Sequence, residues 1–178
     1  MDIQRRADPP LKKERYLMLA LGSLAQISNA LHWACFLPIM DKVLESYPQA
    51  TESNLIALSN VFFIVFIPFG PLSIWVQTKY GVKSSMVIGL GLQMIGAWMR
   101  VLLNSDFYML IIGSCIIAAG QPFIVNTASI VSANWFPQDD RVVSTMVGVN
   151  AYLFGQSCGF LLPMAFLDRD AKGSPETR

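Results

Sequence analysis

Polar side chains recur on one face of the first long apolar segment of this 178-residue chain. Gln26, Asn29 and Trp33 are spaced i, i+3 and i+7, which places them on the same side of a helix. A carboxamide can donate and accept hydrogen bonds, and the face of an indole ring attracts cations. This spacing therefore allows two roles, which are hydrogen bonding to neighbouring helices and contact with a bound solute.

Two later apolar segments carry the same mixture of polar and apolar residues. Gln121 stands between Gly120 and Pro122, and Pro122 removes a backbone donor and loosens the helix beside it. Polar side chains are costly in lipid, so they should face other helices or a wet cavity. For one such residue, interhelical bonding is the simpler explanation, but the whole set favours a solute path. The further members are Asn126, Thr127, Ser129, Asn150, Gln156 and Ser157.

The composition indicates that these segments are membrane spans. The chain is 53% hydrophobic and 14% charged, with a mean hydropathy of +0.46, whereas soluble domains have about 25% charged residues. Apolar stretches of about 20 residues match a helix that crosses a hydrocarbon core of about 30 Å. The alternative, a soluble all-α bundle, would need polar helix faces. We predict about five transmembrane helices, at residues 16–40, 55–76, 84–103, 108–133 and 142–167.

The distribution of Lys and Arg predicts the orientation of these helices. Basic residues are concentrated at the N-terminus and in the second-to-third and fourth-to-fifth connections, which favours a cytoplasmic N-terminus. Residues 1–15 are then a basic cytoplasmic tail, and residues 168–178 are a polar extracytoplasmic tail. Arg100 is expected at the outer end of the third span, with its charge reaching towards water. No organelle signal is visible, which favours the plasma membrane.

The sequence offers no support for catalysis, a cofactor, a metal or nucleic-acid binding. It contains neither a P-loop nor an H-E-x-x-H motif, and a single histidine, His32, cannot build a metal site or a triad. The net charge of +1 gives no broad basic surface for nucleic acid. Cys35, Cys115 and Cys158 are expected to be packing residues. For His32, a proton-coupling role and a neutral hydrogen-bonded role are both open.

The loop sequences resemble those of the major facilitator superfamily. "NWFPQDDRVVST" is similar to its fourth-to-fifth helix loop, and "GPLSIWVQTKYGVKSS" is similar to its second-to-third loop signature. Thr78 stands about where that signature has an acidic residue, which weakens the expected charge relay. The matching positions and the loop charges are candidate gating residues, either as ion pairs with Lys79 or Lys83 or as solvated charges. The candidates are Gly70, Gly81, Lys83, Asp140 and Arg141.

A closer resemblance extends over residues 15–163 to the feline leukaemia virus subgroup C receptor family of haem or choline transporters. It rests on "RYLMLALGSLAQISNALHW", "GAWMRVL", "AAGQPFIVNTASIVSANWF" and "GFLLP". The resemblance implies that Trp33 forms one wall of a cage for a quaternary ammonium and that Gln121 makes a polar contact to the same ligand. We also take Asn29 and Asn126 as candidate substrate-binding residues. The alternative role for Trp33 is an anchor at the membrane surface.

The resemblance implies transport of a small solute through the lipid bilayer. The first candidate is choline or ethanolamine, and the second is haem. A complete facilitator has two six-helix halves with the site between them. We therefore expect an incomplete N-terminal six-helix half, with the C-terminal transporter half absent from this chain. A truncated or non-transporting membrane protein, such as a receptor or a partner subunit, is the alternative.

Overall fold

Helices form almost all of the chain that the structure describes, as membrane spans require. The computed structural model describes residues 13–46, 51–102 and 107–173, and no β-strand occurs within them. The predicted all-α class is confirmed. The helices are α1 (Glu14–Ala34), α2 (Met40–Ser46), α3 (Glu52–Leu102), α4 (Phe107–Val125), α5 (Thr127–Trp135) and α6 (Arg141–Gly173), with 3₁₀ turns at Leu37–Ile39 and Gln138–Asp140.

The 51-residue helix α3 consists of two antiparallel segments that meet at Gly81. Gly81 has φ 84° and ψ 169°, a conformation that glycine adopts readily and other residues avoid. Contacts with α4 and α5 reveal the reversal. Before Gly81, higher residue numbers in α3 contact higher residue numbers in α4 and α5, so the two run parallel. After Gly81, higher numbers in α3 contact lower numbers in α4, so the two run antiparallel. The pairs are Phe62 with Ile117 and Ser73 with Asn126 before Gly81, and Gly89 with Gly120 and Gly96 with Gly113 after it.

The described helices therefore cross the bundle five times. The crossings are α1, the two segments of α3, α4 with α5, and α6. One end of the bundle carries the start of α1, Gly81 and the α5–α6 connection. The opposite end carries Arg100, Leu110 and Leu167, which line one cavity.

Small residues allow the closest helix contacts. A Cβ atom added to Gly96 would lie 2.5 Å from the carbonyl oxygen of Gly113, where α3 crosses α4. A Cβ atom on Gly155 would lie 2.5 Å from the carbonyl oxygen of Ile27, where α6 lies beside α1. Such backbone approach gives membrane helices their van der Waals contact, since lipid supplies no hydrophobic driving force between them.

The fourth crossing is interrupted at Asn126, which separates α4 from α5. Pro122 lies one turn earlier, and the hydrogen bond from Asn126 N–H to the Pro122 carbonyl is long, at 3.5 Å. Side chains bind the carbonyls near this break. Gln26 Nε2 donates to the carbonyls of Ile124 and Val125 at 3.0 and 3.2 Å, and Ser85 Oγ donates to that of Phe123 at 2.9 Å.

The helix boundaries differ from the predicted ones in several places. In the first predicted span, 16–40, the long helix ends at Ala34, and α2 begins at Met40. The predicted connection between the second and third spans is helical except at Gly81, because one left-handed residue suffices for the reversal. Helix α6 continues to Gly173, beyond the predicted end at residue 167. Residues 1–12, 47–50, 103–106 and 174–178 lie outside the described part of the chain. Two described stretches, Ile56–Val101 and Phe107–Trp135, are long and apolar enough to cross a membrane.

The glycine contacts predict the effect of one added methyl group. Gly96→Ala should lower the free energy of unfolding in detergent by about 1–3 kcal/mol, because the new Cβ would overlap the Gly113 carbonyl. Gly91→Ala is the matched control in the same helix, since a Cβ atom there meets nothing within 4 Å. Thermal unfolding followed by circular dichroism measures both variants. Equal stability of the two variants would contradict the close packing.

Candidate solute-binding site

Trp33 on α1 and Gln121 on α4 line the same cavity. Its volume is about 290 Å³, and the remaining lining side chains come from the first segment of α3 and from α6. They are Phe62, Phe63, Phe66, Tyr152 and Gln156. The structure thus brings together the two residues that the family resemblance singles out.

Aromatic rings form most of the wall of this cavity. Trp33 and Phe63 meet edge to face, with ring centroids 6.2 Å apart and planes at 83°, an arrangement that aromatic pairs favour. The lining residues include no Asp, Glu, Lys or Arg. A cation entering this cavity would therefore meet ring faces and amides rather than a carboxylate, and a ring face contributes about 0.5–2 kcal/mol.

The carboxamide of Gln121 supplies a free acceptor at this site. Its Oε1 atom is buried and accepts no hydrogen bond within the described part of the chain. A second cavity, of about 270 Å³, shares Phe66, Gln121 and Tyr152 with the first and extends to Gln26 and Val125. Gln121 therefore lies where two neighbouring cavities meet, and a ligand hydroxyl could satisfy its oxygen.

Asn29 lies outside this cavity. It is 1% exposed, and its Oδ1 atom accepts a hydrogen bond from Gln93 Nε2 at 2.5 Å. Gln26 bonds to the carbonyls at the α4–α5 break. Of the three residues on this face of α1, Gln26 and Asn29 thus join helices, and Trp33 lines the cavity that also contains Gln121. The position of Asn29 supports the interhelical role rather than direct solute contact.

Asn126 is also separate from Trp33 and Gln121. Its Nδ2 atom donates to Ser73 Oγ at 3.1 Å. It lines another cavity, of about 320 Å³, together with Gln77, Thr78 and Ser129. The position of Asn126 next to the helix break explains its polarity, because its side chain ties the break to the first segment of α3.

The candidate gating glycines have structural positions in α3. Gly70 is buried, and its carbonyl accepts a hydrogen bond from Ser73 Oγ at 2.8 Å. Gly81 reverses the chain, and Lys83 follows it as an exposed side chain. A gating role for these three residues stays a prediction.

The charges of the α5–α6 connection pair differently from the expectation. Asp140 lies 3.5 Å from the guanidinium of Arg15, rather than pairing with Lys79 or Lys83. Lys79 instead lies over the ring of Trp75, with Nζ 4.9 Å from the centroid. The side chain of Asp140 is 52% exposed, so this ion pair contributes little stability.

Both the side chain and the carbonyl group of Arg141 form hydrogen bonds near the α5–α6 connection. Its Nε atom donates to the Phe136 carbonyl at 3.1 Å, and its carbonyl accepts from Ser132 Oγ at 2.6 Å and from Ser144 Oγ at 3.1 Å. These bonds join the end of α5 to the start of α6. Arg141 therefore holds the connection together in the described state.

The position of Arg100 corrects the sequence prediction. Arg100 is only 8% exposed, so its side chain does not reach towards water. Its Nε and Nη2 atoms donate to Ser114 Oγ at 3.1 and 2.7 Å, and Nη1 donates to the His32 carbonyl at 3.3 Å. Helix α4 and the end of α1 supply these acceptors, which draw the guanidinium inwards.

His32 faces away from the Trp33 cavity, as adjacent helix positions should. It lines the cavity that contains Arg100 and a neighbouring groove between α1 and the second segment of α3. Neither a proton-coupling role nor a neutral one is tested by this position, and both stay predictions.

Several aromatic site residues have no distinctive sequence signal. Phe62, Phe63 and Phe66 belong to the run "NVFFIVFIPFG", which is equally typical of a lipid-facing helix. Tyr152 lies four residues before Gln156. That i, i+4 spacing from a polar residue places Tyr152 on the same helix face and could have identified it.

Comparison with known proteins establishes the family. Residues 22–169 match the Major Facilitator Superfamily, and the chain belongs to that family. The family consists of multi-helix membrane transport proteins, and the described crossings fit part of its N-terminal half.

The similar relatives agree with the closer resemblance. The chain is 24% identical over 155 residues to the choline/ethanolamine transporter FLVCR1 of Felis catus, which covers 86% of this chain and 28% of the relative. It is 26% identical over 167 residues to FLVCR1 of Mus musculus (91% and 30%). It is 24% identical over 165 residues to the choline/ethanolamine transporter flvcr2a of Danio rerio (92% and 35%). The chain thus spans about a third of the length of these relatives.

The interhelical role of Asn29 predicts a coupled effect with Gln93. Asn29→Leu alone should lower the free energy of unfolding by about 1–3 kcal/mol, because it leaves the Gln93 donor buried without its acceptor. Adding Gln93→Met should recover part of this loss, since both polar partners are then removed. Unfolding of the two single variants and the double variant in detergent gives the coupling. Strictly additive losses would show that the bond contributes nothing.

Proposed function

We propose that this chain forms one wall of the solute site of a transporter for choline, ethanolamine or a closely similar ammonium compound. The observation that carries the proposal is the uncharged cavity in which Trp33 and Gln121 stand together among aromatic rings. Trp33 and its neighbouring phenylalanines would hold the ammonium group, and Gln121 would accept the hydroxyl hydrogen bond.

The chemistry of the cavity suits a quaternary ammonium. A trimethylammonium group donates no hydrogen bonds, so it needs no acceptors around it, and aromatic faces attract its charge. Its hydroxyl can donate, and Gln121 Oε1 is a buried acceptor that the described residues leave open. One ligand of this kind therefore uses both features of the cavity at once.

Three of the similar relatives carry the words choline/ethanolamine transporter in their names, which supports the same class of solute here. Haem has no comparable support. Haem iron takes His, Met, Cys or Tyr as axial ligands. Of these only Tyr152 lines the Trp33 cavity, and His32 faces elsewhere. We therefore retain the ammonium solute alone.

Transport requires more than this wall. In the facilitator fold the solute site lies between two six-helix halves, and the relatives are about three times as long as this chain. We infer that a C-terminal half supplies the opposite wall and that the protein acts in the plasma membrane. A receptor or partner subunit would bind the same solute without moving it, so binding and uptake must be measured separately.

Choline binding to the purified chain tests the site. Labelled choline should bind more tightly than its uncharged analogue 3,3-dimethylbutan-1-ol, and Trp33→Ala should weaken choline binding by about 2- to 30-fold, the loss of one cation–π contact. Trp33→Phe should weaken it less, because a ring face remains. Trp98→Ala is the matched control, since Trp98 is 59% exposed and does not line the site.

Gln121 has its own readout in the same assay. Gln121→Leu should weaken the binding of choline but leave that of tetramethylammonium unchanged, since only choline carries a hydroxyl. Equal affinity for choline and the uncharged analogue would contradict the ammonium site. Unchanged choline binding in a folded Trp33→Ala variant would contradict the role of Trp33. Labelled choline uptake by cells that express the chain together with a C-terminal transporter half then separates transport from binding alone.

A further inference from the structure

Arg100 is a buried positive charge that lies near the ring of Phe62 but does not line the Trp33 cavity. Arg100 is 8% exposed, and its acceptors are the hydroxyl of Ser114 and the backbone carbonyl of His32. Both acceptors are neutral, and Ser114 in turn donates to the Leu110 carbonyl at 2.7 Å. Hydrogen bonds to neutral groups satisfy donors but leave the charge itself uncompensated.

The surroundings of Arg100 supply no anion within the described residues. The ion pairs found there are Arg15 with Asp140 and Lys42 with Glu45, and neither involves Arg100. The other near groups are the thiol of Cys35, which interacts with the guanidinium, and the rings of Phe36 and Phe62, whose centroids lie 4.8 and 5.9 Å from the guanidinium carbon. A charged side chain at membrane depth is costly unless it is paired or serves a function.

Arg100 also lines a cavity of about 580 Å³ that is large enough for a ligand. The cavity lies at the end of the bundle where α1 passes into α2 and α3 approaches α4. Lys42, which also pairs with Glu45, contributes a second cation, and His32, Cys35 and apolar side chains form the rest of the wall. The apolar side chains include Phe36, Ile39, Val43, Ala97, Val101 and Leu110.

We propose that Arg100 and this cavity bind a phosphate-type oxyanion. The planar guanidinium is matched to two oxygens of a phosphate, and such charge-assisted bonds are stronger than its present bonds to neutral groups. The anion would be either free phosphate or the phosphate of a lipid headgroup, whose chains the apolar wall would accept. This site is separate from the Trp33 cavity and does not rest on the proposed solute.

Binding to the purified chain tests this site with two probes. Inorganic phosphate and dihexanoyl phosphatidic acid are titrated into the detergent-solubilised chain by calorimetry. A site for a lipid headgroup should prefer the phosphatidic acid, whereas a site for the free ion should bind both alike. Arg100→Gln should weaken binding of the preferred probe by at least about tenfold, since it removes a charge-assisted pair. Lys79→Gln, which removes one exposed charge at the other end of the bundle, should not.

The wild-type chain provides a second measurement that needs no variant of Arg100. Cys35 lines the same cavity, whereas Cys115 and Cys158 do not. The bound probe should slow modification of Cys35 by N-ethylmaleimide and leave the rates at Cys115 and Cys158 unchanged. If Arg100→Gln does not fold, Arg100→Lys replaces it, and we expect weaker binding because the forked geometry is lost.

The proposal would be overturned if neither probe binds to the wild-type chain. Equal affinity in folded Arg100→Gln, or equal modification of Cys35 with and without the probe, would do the same. These results would leave the Trp33 site untouched, because neither probe carries an ammonium group.

Discussion

Backbone carbonyl groups that lose their helical partners must be bonded inside the protein, because lipid offers them nothing. This constraint organises the centre of the bundle. Pro122 and the break at Asn126 loosen the fourth crossing, and Gln26 from α1 and Ser85 from α3 reach its carbonyls. The polar residues of the first helix therefore have a structural explanation before any ligand is considered. They tie three crossings to one weak point.

The same break lies beside the proposed solute cavity. Gln121 precedes Pro122, and its side chain lines the cavity with Trp33 and interacts with Tyr152 on α6. Gln26, Asn29 and Gln93 each bond to another helix through one atom of the amide, and the other atom, like the Gln121 oxygen, has no partner among the described residues. Gln121 differs from Asn29 and Gln93 in that its amide lines the aromatic cavity that contains Trp33.

The sequence predicted the class of fold and roughly the number of helices, because apolar length depends on local residue order. The family resemblance pointed to Trp33 and Gln121, and the structure places both at one cavity. The sequence could not separate Asn29 and Asn126 from Trp33, since a shared helix face does not say which neighbour occupies it. Arg100 was misplaced for the same reason. A charge near a helix end is expected to reach water, and only the packed position of Ser114 shows that a buried acceptor competes. The aromatic wall from α3 was hidden because phenylalanine is common on lipid-facing helices.

Phe62 connects the two cavities electrostatically. Its ring lines the Trp33 cavity and also lies 5.9 Å from the Arg100 guanidinium carbon. An ammonium solute and an uncompensated arginine repel each other, by roughly 1.7 kcal/mol for unit charges about 10 Å apart at an effective dielectric constant near 20. An anion bound at Arg100 would lower that repulsion. The Phe62 ring already faces the Arg100 guanidinium, so it attracts an ammonium solute less strongly than a free ring would. A cation site that lacks carboxylates therefore depends on how the nearest buried charge is neutralised, even when that charge never contacts the solute.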